Sequence, residues 1–226
     1  MIPSRSELEG AGRFWMRHAL GEGDLARLER ACGTGGAPGR RLDWNDDLLD
    51  AVGPAGRLTQ LADALLPGAF AVRIVAFNKS RAANWQVPWH QDRVIAVRDK
   101  HAIGGFTAWT RKAGTWHVEP PIDLLQGMIF ARVHLDDTDT GNGCLELALG
   151  THMQGWVAAH RAADVARSAP LEQCHGRRGD VLFVKALTLH RSAPSQRQAS
   201  RRTLRIDYCA KPLPRPLEWA MQGRAP

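Results

Sequence analysis

The sequence predicts a mainly β protein, an antiparallel sandwich or barrel with α-helices on its N-terminal side. Two observations lead there. Apolar residues recur at helical spacing through the first third of the chain, and after Gly68 the period shortens to that of strands. The strand-like runs that follow are short and are separated by turn clusters rather than long helices, which excludes a βαβ organisation. With 226 residues, 44% of them hydrophobic, the chain has the length of one domain and the means to bury a core.

Each element has its own signal. Ser6-Glu7-Leu8-Glu9 has the form of a capping box and opens a helical segment carrying Leu8, Phe14 and Trp15. A second helix starts at Asp24, carries Leu25, Leu28 and Cys32, and ends at Gly33. Residues 33–41 hold four glycines and a proline and read as a loop. Leu58, Leu61, Ala62, Leu65 and Leu66 then recur at helical spacing until Pro67-Gly68 stops them. Strands are expected over residues 69–77, 94–97, 128–135, 181–184, 187–190 and 203–209, with turns at 104–105, 120–121, 139–143 and 176–179. With no internal repeat, residues 1–226 read as a single domain: a helical part over 1–68 packed on the β structure, a core over 69–210 and a C-terminal tail over 211–226.

Composition narrows the function classes. No run of 18 apolar residues exists, so no transmembrane helix and no membrane partner are expected. The first residues, Met1 to Glu7, lack the apolar stretch of a secretory signal, which predicts a cytoplasmic protein. The net charge is +7 and the isoelectric point about 9.8. The basic residues, 25 Arg and 5 Lys, are scattered without interleaved aromatics. That pattern fits a solvated surface better than a nucleic-acid stripe, so no nucleic-acid partner is expected. Cys32, Cys144, Cys174 and Cys209 form no CxxC pair and read as reduced, buried thiols.

No GxSxG, P-loop, GxGxxG or HExxH motif is present. What remains is histidine beside carboxylate. A non-haem Fe(II) oxygenase needs two His and one Asp or Glu on one face of the metal, with the other positions open. Two of these ligands commonly come as His-x-Asp/Glu, because residues two apart on an extended chain point the same way. Three such triplets occur: His90-Gln91-Asp92, His117-Val118-Glu119 and His134-Leu135-Asp136. With 9 His and 23 acidic residues, chance alone supplies about one, so the triplets do not discriminate among themselves.

The C-terminal part adds a second requirement. An oxygenase of this kind that uses 2-oxoglutarate also needs a cation for the far carboxylate of that cosubstrate, on the strand after the last His ligand. Arg suits it, since its planar fork matches a carboxylate. Beyond residue 140, His190 is the His with an Arg 10–12 positions downstream, Arg201, with Arg202 beside it as the alternative. Strand alternation groups Arg201 with Thr203, Arg205 and Asp207, a polar face, and Arg202 with Leu204, Ile206 and Tyr208. Ser192 shares a face with His190 and is placed to donate a hydroxyl to the same carboxylate. Arg132 and His134 share another strand face, with an ordinary structural role weighed against a pocket role, and Trp85, Trp89, Trp109 and Trp116 are expected mainly to fill core.

The segment 84–92, Asn-Trp-Gln-Val-Pro-Trp-His-Gln-Asp, resembles the metal-binding strand of the phytanoyl-CoA dioxygenase family. Stretches 116–121, 132–137, 143–152 and 179–202 resemble that family in the same order, over roughly residues 70–210. The resemblance implies a double-stranded β-helix (a cupin-like jelly roll) and a dioxygenase using Fe(2+), 2-oxoglutarate and O2. It implies His90, Asp92 and His190 as iron ligands and catalytic centre, and Arg201 as cosubstrate anchor, assisted by Ser192; the His117 and His134 triplets then fall outside the metal set. Leu149-Gly150-Thr151-His152 stands where the family tends to Pro-Gly-Ser-His, and Ser195 where it tends to Asn; both lie in loops or turns. The implied reaction is hydroxylation of an unactivated C–H bond of a small or medium-sized metabolite, with release of succinate and CO2. A carboxylate at position 92 sets the chain apart from halogenating relatives, which leave that place to chloride, while desaturation and ring closure use the same ligands. Two rivals stand beside this: an oxygenase directed at nucleic acid or another macromolecule, and a cupin-type metalloenzyme that does not use 2-oxoglutarate.

Overall fold

Residues 201–209 alternate polar and apolar, and both faces of this strand are buried: one against helices, the other against a second sheet. The computed structural model describes residues 3–33, 39–80, 83–197 and 200–221. In chain order the elements are α1 (Arg5–Ala11), β1 (Arg13–Met16), α2 (Glu22–Cys32), β2 (Arg40–Arg41), α3 (Asp46–Val52), α4 (Arg57–Leu65), β3 (Phe70–Lys79), β4 (Val87–His90) and β5 (Ile95–Val97). They continue as β6 (Thr107–Lys112), β7 (Thr115–Glu119), α5 (Ile122–Gln126), β8 (Met128–His134), β9 (Leu145–Ala148), α6 (Ala162–Arg167), β10 (Leu171–Gln173), β11 (Val181–Lys185), β12 (His190–Ser192) and β13 (Arg201–Cys209).

A six-stranded sheet, ordered β1-β11-β8-β13-β3-β2, faces a four-stranded sheet, β10-β9-β12-β4, and every pairing is antiparallel. These are the two walls of a jelly roll. A third sheet, β5-β7-β6, covers one end. The outer face of the large sheet, with Val133, Phe183, Leu204, Ile206 and Tyr208, packs on Leu25, Leu28, Leu48, Leu58 and Leu65 of the helices. Its inner face is apolar at both ends. Trp15, Phe130 and Leu182 meet Leu145 and Leu147 of the small sheet at one end. At the other, Val72, Met128 and Cys209 meet Val97, Val118 and Trp219. Between the two apolar ends lies a polar middle.

Several elements differ from expectation for local reasons. Ser4, not Ser6, caps α1: its Oγ accepts the Glu7 N–H at 3.3 Å. The helix stops at Gly12, whose φ of 79° is left-handed and whose position leaves no room for a Cβ, 2.5 Å from His152 Nδ1. Phe14 and Trp15 therefore lie on β1, paired with β11, and alternate between the two cores. The 1–68 part is thus not purely helical, since β1 and β2 extend the large sheet. Helix α3 follows Asn45, which caps the Leu48 N–H at 3.0 Å. Of the expected 33–41 loop, residues 34–38 lie outside the described residues. Leu187–Leu189 form a turn rather than a strand: Thr188 Oγ1 donates to Gly12 O at 3.1 Å and Thr151 Oγ1 accepts the Leu189 N–H at 2.9 Å. In the 211–226 segment, Leu213, Leu217 and Trp219 are buried, and the backbone of 218–220 bonds alongside β5 through Arg98 N–H to Glu218 O and Ala220 N–H to Ala96 O; residues 222–226 lie outside the described residues. No helix is long and apolar enough to cross a membrane among the described residues.

The two faces of β13 predict a separation of effects. Ile206→Ala should destabilise the protein by about 2–5 kcal/mol in urea unfolding, as a buried aliphatic truncation does, while metal affinity at the inner face stays unchanged.

A candidate metal centre and its cationic cavity

Strands β4 and β12 lie side by side in the small sheet, and antiparallel pairing puts His90 opposite His190. The two rings approach with centroids 4.2 Å apart. Asp92 follows two residues after His90, so its side chain turns to the same side. The donor atoms of His90, Asp92 and His190 all lie within 4.8 Å of one another, and theirs is the one such group of three among the described residues. His190 Nε2 is 3.5 Å from Asp92 Oδ2.

Backbone carbonyls orient both rings. His90 Nδ1 lies 2.8 Å from Pro88 O and His190 Nδ1 lies 2.9 Å from Thr188 O. A carbonyl only accepts, so each Nδ1 carries the proton and each Nε2 keeps its lone pair for the space between the rings. Gln91, between His90 and Asp92, points the opposite way. Its Nε2 donates to Gly155 O and Leu187 O, both at 2.8 Å, and its Oε1 accepts the Val157 N–H at 2.9 Å. Three hydrogen bonds, two of them buried, thereby lock the segment that carries His90 and Asp92.

Arg205 of β13 reaches across from the large sheet. Its Nη2 is 2.8 Å from Asp92 Oδ2 and its Nε donates to Asp207 Oδ1 at 2.6 Å, with the guanidinium over the Phe130 ring at 4.1 Å. The approach to Asp92 is off the hydrogen-bonding direction, so that buried oxygen has no hydrogen-bond partner. Burial alone would raise the Asp92 pKa, but the charges of Arg205, then His190 and Arg73, outweigh it and hold the carboxyl well below the usual range. Burial pulls His190 down to about 4, against the pull of Asp92, so its imidazole is neutral at pH 7. Two imidazoles that turn Nε2 to a shared space and one anionic oxygen without a hydrogen bond are the donor set that a divalent iron centre takes.

The centre opens into a cavity of about 310 Å³ between the walls. Arg201 lines it, 1% exposed: its Nη1 donates to Gly143 O at 2.9 Å, and its Nε has no partner. Arg202 faces outward and is engaged by Asp136 at 2.6 Å and Glu29 at 2.9 Å. Ser192 lies on the cavity wall below His190. Arg132 also lines the cavity, buried and next to Arg201. Lys79, opposite Arg201 in the β3–β13 register, is wholly buried and donates to Ala193 O at 2.5 Å. Trp85, expected to fill core, lines the cavity instead, while Trp89 packs near α6 and Trp109 meets Trp116 edge-on.

The rival triplets are dispersed. His134 stacks near Trp15 with its Nδ1 3.3 Å from Asp180 O, while Asp136 is engaged by Arg202. His117 contacts Arg41, and Glu119 pairs with Arg93 at 3.0 Å. Sequence reasoning missed Gln91 and the Arg205–Asp92 pair. The Arg205 signal was its place on the polar face of β13; Gln91 had none, because nothing in a sequence shows which carbonyls a glutamine will meet.

Comparison with known proteins follows this geometry. The family model described as phytanoyl-CoA dioxygenase (PhyH) matches residues 11–203. No curated protein matches the chain by sequence. Among solved structures, the chain is similar to AviO1 from Streptomyces viridochromogenes Tue57, with TM-score 0.64 and 20% identity over 93% of this chain and 96% of that one. It is similar to the non-heme alpha ketoglutarate dependent epimerase SnoN from nogalamycin biosynthesis, with TM-score 0.64 and 15% identity over 90% and 80%. It is also similar to EctD from S. alaskensis in its apoform, with TM-score 0.65 and 16% identity over 94% and 78%. At these identities the likeness concerns the fold.

The buried cations carry a testable electrostatic signature. Burial, then the charges of Arg201 and Arg132, lowers the Lys79 pKa to about 8, so at pH 7 the amine is charged and held unfavourably. Between about pH 8 and 10.5 the unfolded chain binds the proton that the folded chain has released, so this penalty fades as pH rises. Lys79→Met should therefore stabilise the metal-free protein at pH 7 by on the order of 1–3 kcal/mol. In urea unfolding followed against pH, that gain should vanish above pH 10.5.

Proposed function

The chain belongs to the phytanoyl-CoA dioxygenase family, and from that membership we propose that it hydroxylates an unactivated C–H bond of a small or medium-sized metabolite, with His90, Asp92 and His190 as iron ligands and Arg201 as the 2-oxoglutarate anchor. As a family member it is a 2-oxoglutarate-dependent dioxygenase. One observation carries the proposal: the cluster of His90, Asp92 and His190 shares a small cavity with a buried Arg201 that has donors to spare.

Bound there with 2-oxoglutarate and O2, iron(II) would supply the oxidising chemistry, in which C–H, 2-oxoglutarate and O2 become C–OH, succinate and CO2. The protein's part is geometry and charge. His90 and His190 present Nε2, held by the carbonyls of Pro88 and Thr188. Asp92 supplies the anionic ligand, kept ionised by Arg205. Arg201 takes the distal carboxylate of the cosubstrate in a bidentate fashion, with the Ser192 hydroxyl as a second donor. Phe130, Leu145, Val75 and Val87 form apolar wall and keep water from the reacting carbon. Asp92 at the third ligand position supports hydroxylation over halogenation. The small volume of the cavity supports a small-molecule substrate over a nucleic acid, and four free, buried cysteines agree with a reducing, cytoplasmic setting.

Anaerobically loaded with iron(II), then given 2-oxoglutarate and air, the protein should release succinate, with background turnover even before a substrate is found. His90→Ala should abolish it. Arg201→Gln should raise KM for 2-oxoglutarate roughly 10²-fold, from the ~2–5 kcal/mol lost when a buried charge pair loses one partner. Succinate release that survives His90→Ala contradicts the assignment.

A further inference from the structure

The cavity holds more positive charge than its cosubstrate and metal would use. Among the described residues, Arg41, Arg73, Arg132, Arg191, Arg201 and Arg205 line it. Arg191 is answered by Glu146 at 2.6 Å. Arg73 and Arg205 share Asp207, and Arg205 also faces Asp92. Among the described residues, Arg41, Arg132 and Arg201 have no carboxylate at ion-pair distance, and Lys79, buried behind Arg201, has none either. A ferrous ion and a 2-oxoglutarate dianion cancel each other, so loading the centre leaves this excess unchanged. Desolvated cations without counter-charge are expensive, and for an arginine, which keeps its proton at pH 7, a bound anion offsets the expense.

The unmatched cations sit at two poles. Arg201, Arg132 and Lys79 cluster at one: Arg201 lies opposite Lys79 in the register, and Arg132 feels Arg201 more than any other charge. Arg73 lies opposite Asp207, six residues along β13 from Arg201, roughly 20 Å at strand rise. Arg41 on β2, opposite Val75 of β3 and so level with Arg205, reaches toward that second pole: its guanidinium meets His117 of β7, and Arg73 is the strongest charge acting on it. The Asp92–Arg205 pair stands between the poles. Arg41 is half-buried, and its side-chain partner is the imidazole of His117, a neutral acceptor that orients the guanidinium without neutralising it. Burial and then Arg41 itself push His117 down to about 4, so the ring stays uncharged at pH 7.

We propose that the substrate carries a carboxylate or phosphate group, and that Arg41, backed by Arg73, is the residue that binds it at the pole opposite Arg201. This rests on the oxygenase assignment above and adds the substrate's chemical class. Arg fits the role because its fork takes two oxygens of either group.

The test uses protein loaded with manganese(II) as a paramagnetic, redox-silent ion and with N-oxalylglycine in place of 2-oxoglutarate. Hexanoate, phenyl phosphate and the neutral hexanamide are then added separately, and the relaxation of each probe's protons by the manganese is measured. At least one of the two anions should be relaxed strongly and hexanamide at least tenfold less; which anion responds distinguishes a carboxylate from a phosphate. Arg41→Gln should lose the anion signal at least tenfold, and Arg41→Lys should recover part of it. Both variants should bind N-oxalylglycine as the wild type does, which shows that they are folded. Equal relaxation of hexanamide and the anions, no response from either anion, or an anion signal untouched in Arg41→Gln overturns the proposal. Failure of the wild type to bind manganese or N-oxalylglycine instead removes the oxygenase assignment on which it rests.

Discussion

The ion pair between Arg205 and Asp92 joins the two walls of the jelly roll at the point where the three candidate ligands meet. Asp92 comes from the turn after β4, in the small sheet; Arg205 comes from β13, in the middle of the large one. The pair keeps the carboxyl anionic in a place where burial alone would protonate it. It also bridges the two sheets across the cavity. Because the contact is not aligned as a hydrogen bond, the oxygen that faces His190 retains its lone pairs. A carboxylate fully bonded to its arginine would be a poorer ligand.

Buried charge of this density needs compensation, and the fold supplies it on the opposite side of the same strand. The apolar residues of β13, Leu204, Ile206 and Tyr208, are wholly buried beneath the helices, while Arg201, Thr203, Arg205 and Asp207 face inward. Apolar burial at about 25 cal/mol per Å² stabilises the sheet; the inner cations, held at lowered pKa at Arg132, Arg201 and Lys79, work against it. Stability therefore resides on the outer face and in the two apolar ends, and the candidate site lies in the polar middle.

Much of this layout is legible in the sequence because it follows period. The alternation over 203–209 places Arg201 and Arg202 on opposite faces, and the structure puts Arg201 in the cavity and Arg202 in outward ion pairs. The helix over 57–65 and the strand over 70–79 announce themselves in the same way. What escapes is set by long-range partners. Phe14 and Trp15 read as helical until Gly12 turns the chain and β11 offers a pairing edge. Leu187–Leu189 have strand composition, yet their backbone bonds go to the side chains of Gln91 and Thr151, to Lys185 within the turn and to Ala148 at the end of β9. The convergence of His90, Asp92 and His190 depends on β4 lying next to β12, across 100 residues of chain, and no local pattern encodes that adjacency. Gln91 belongs to the same class: its three backbone partners lie in two distant segments.

The most direct test of the centre is an anaerobic titration with iron(II) and 2-oxoglutarate, followed through the visible charge-transfer absorption that arises when the keto acid chelates ferrous iron. The expected result is a band that saturates at one iron per chain, is lost in His190→Ala, and in Arg201→Gln needs far more 2-oxoglutarate while the iron stoichiometry stays the same. A band of undiminished intensity in His190→Ala, or an unchanged 2-oxoglutarate midpoint in Arg201→Gln, would contradict the placement of metal and cosubstrate in this cavity.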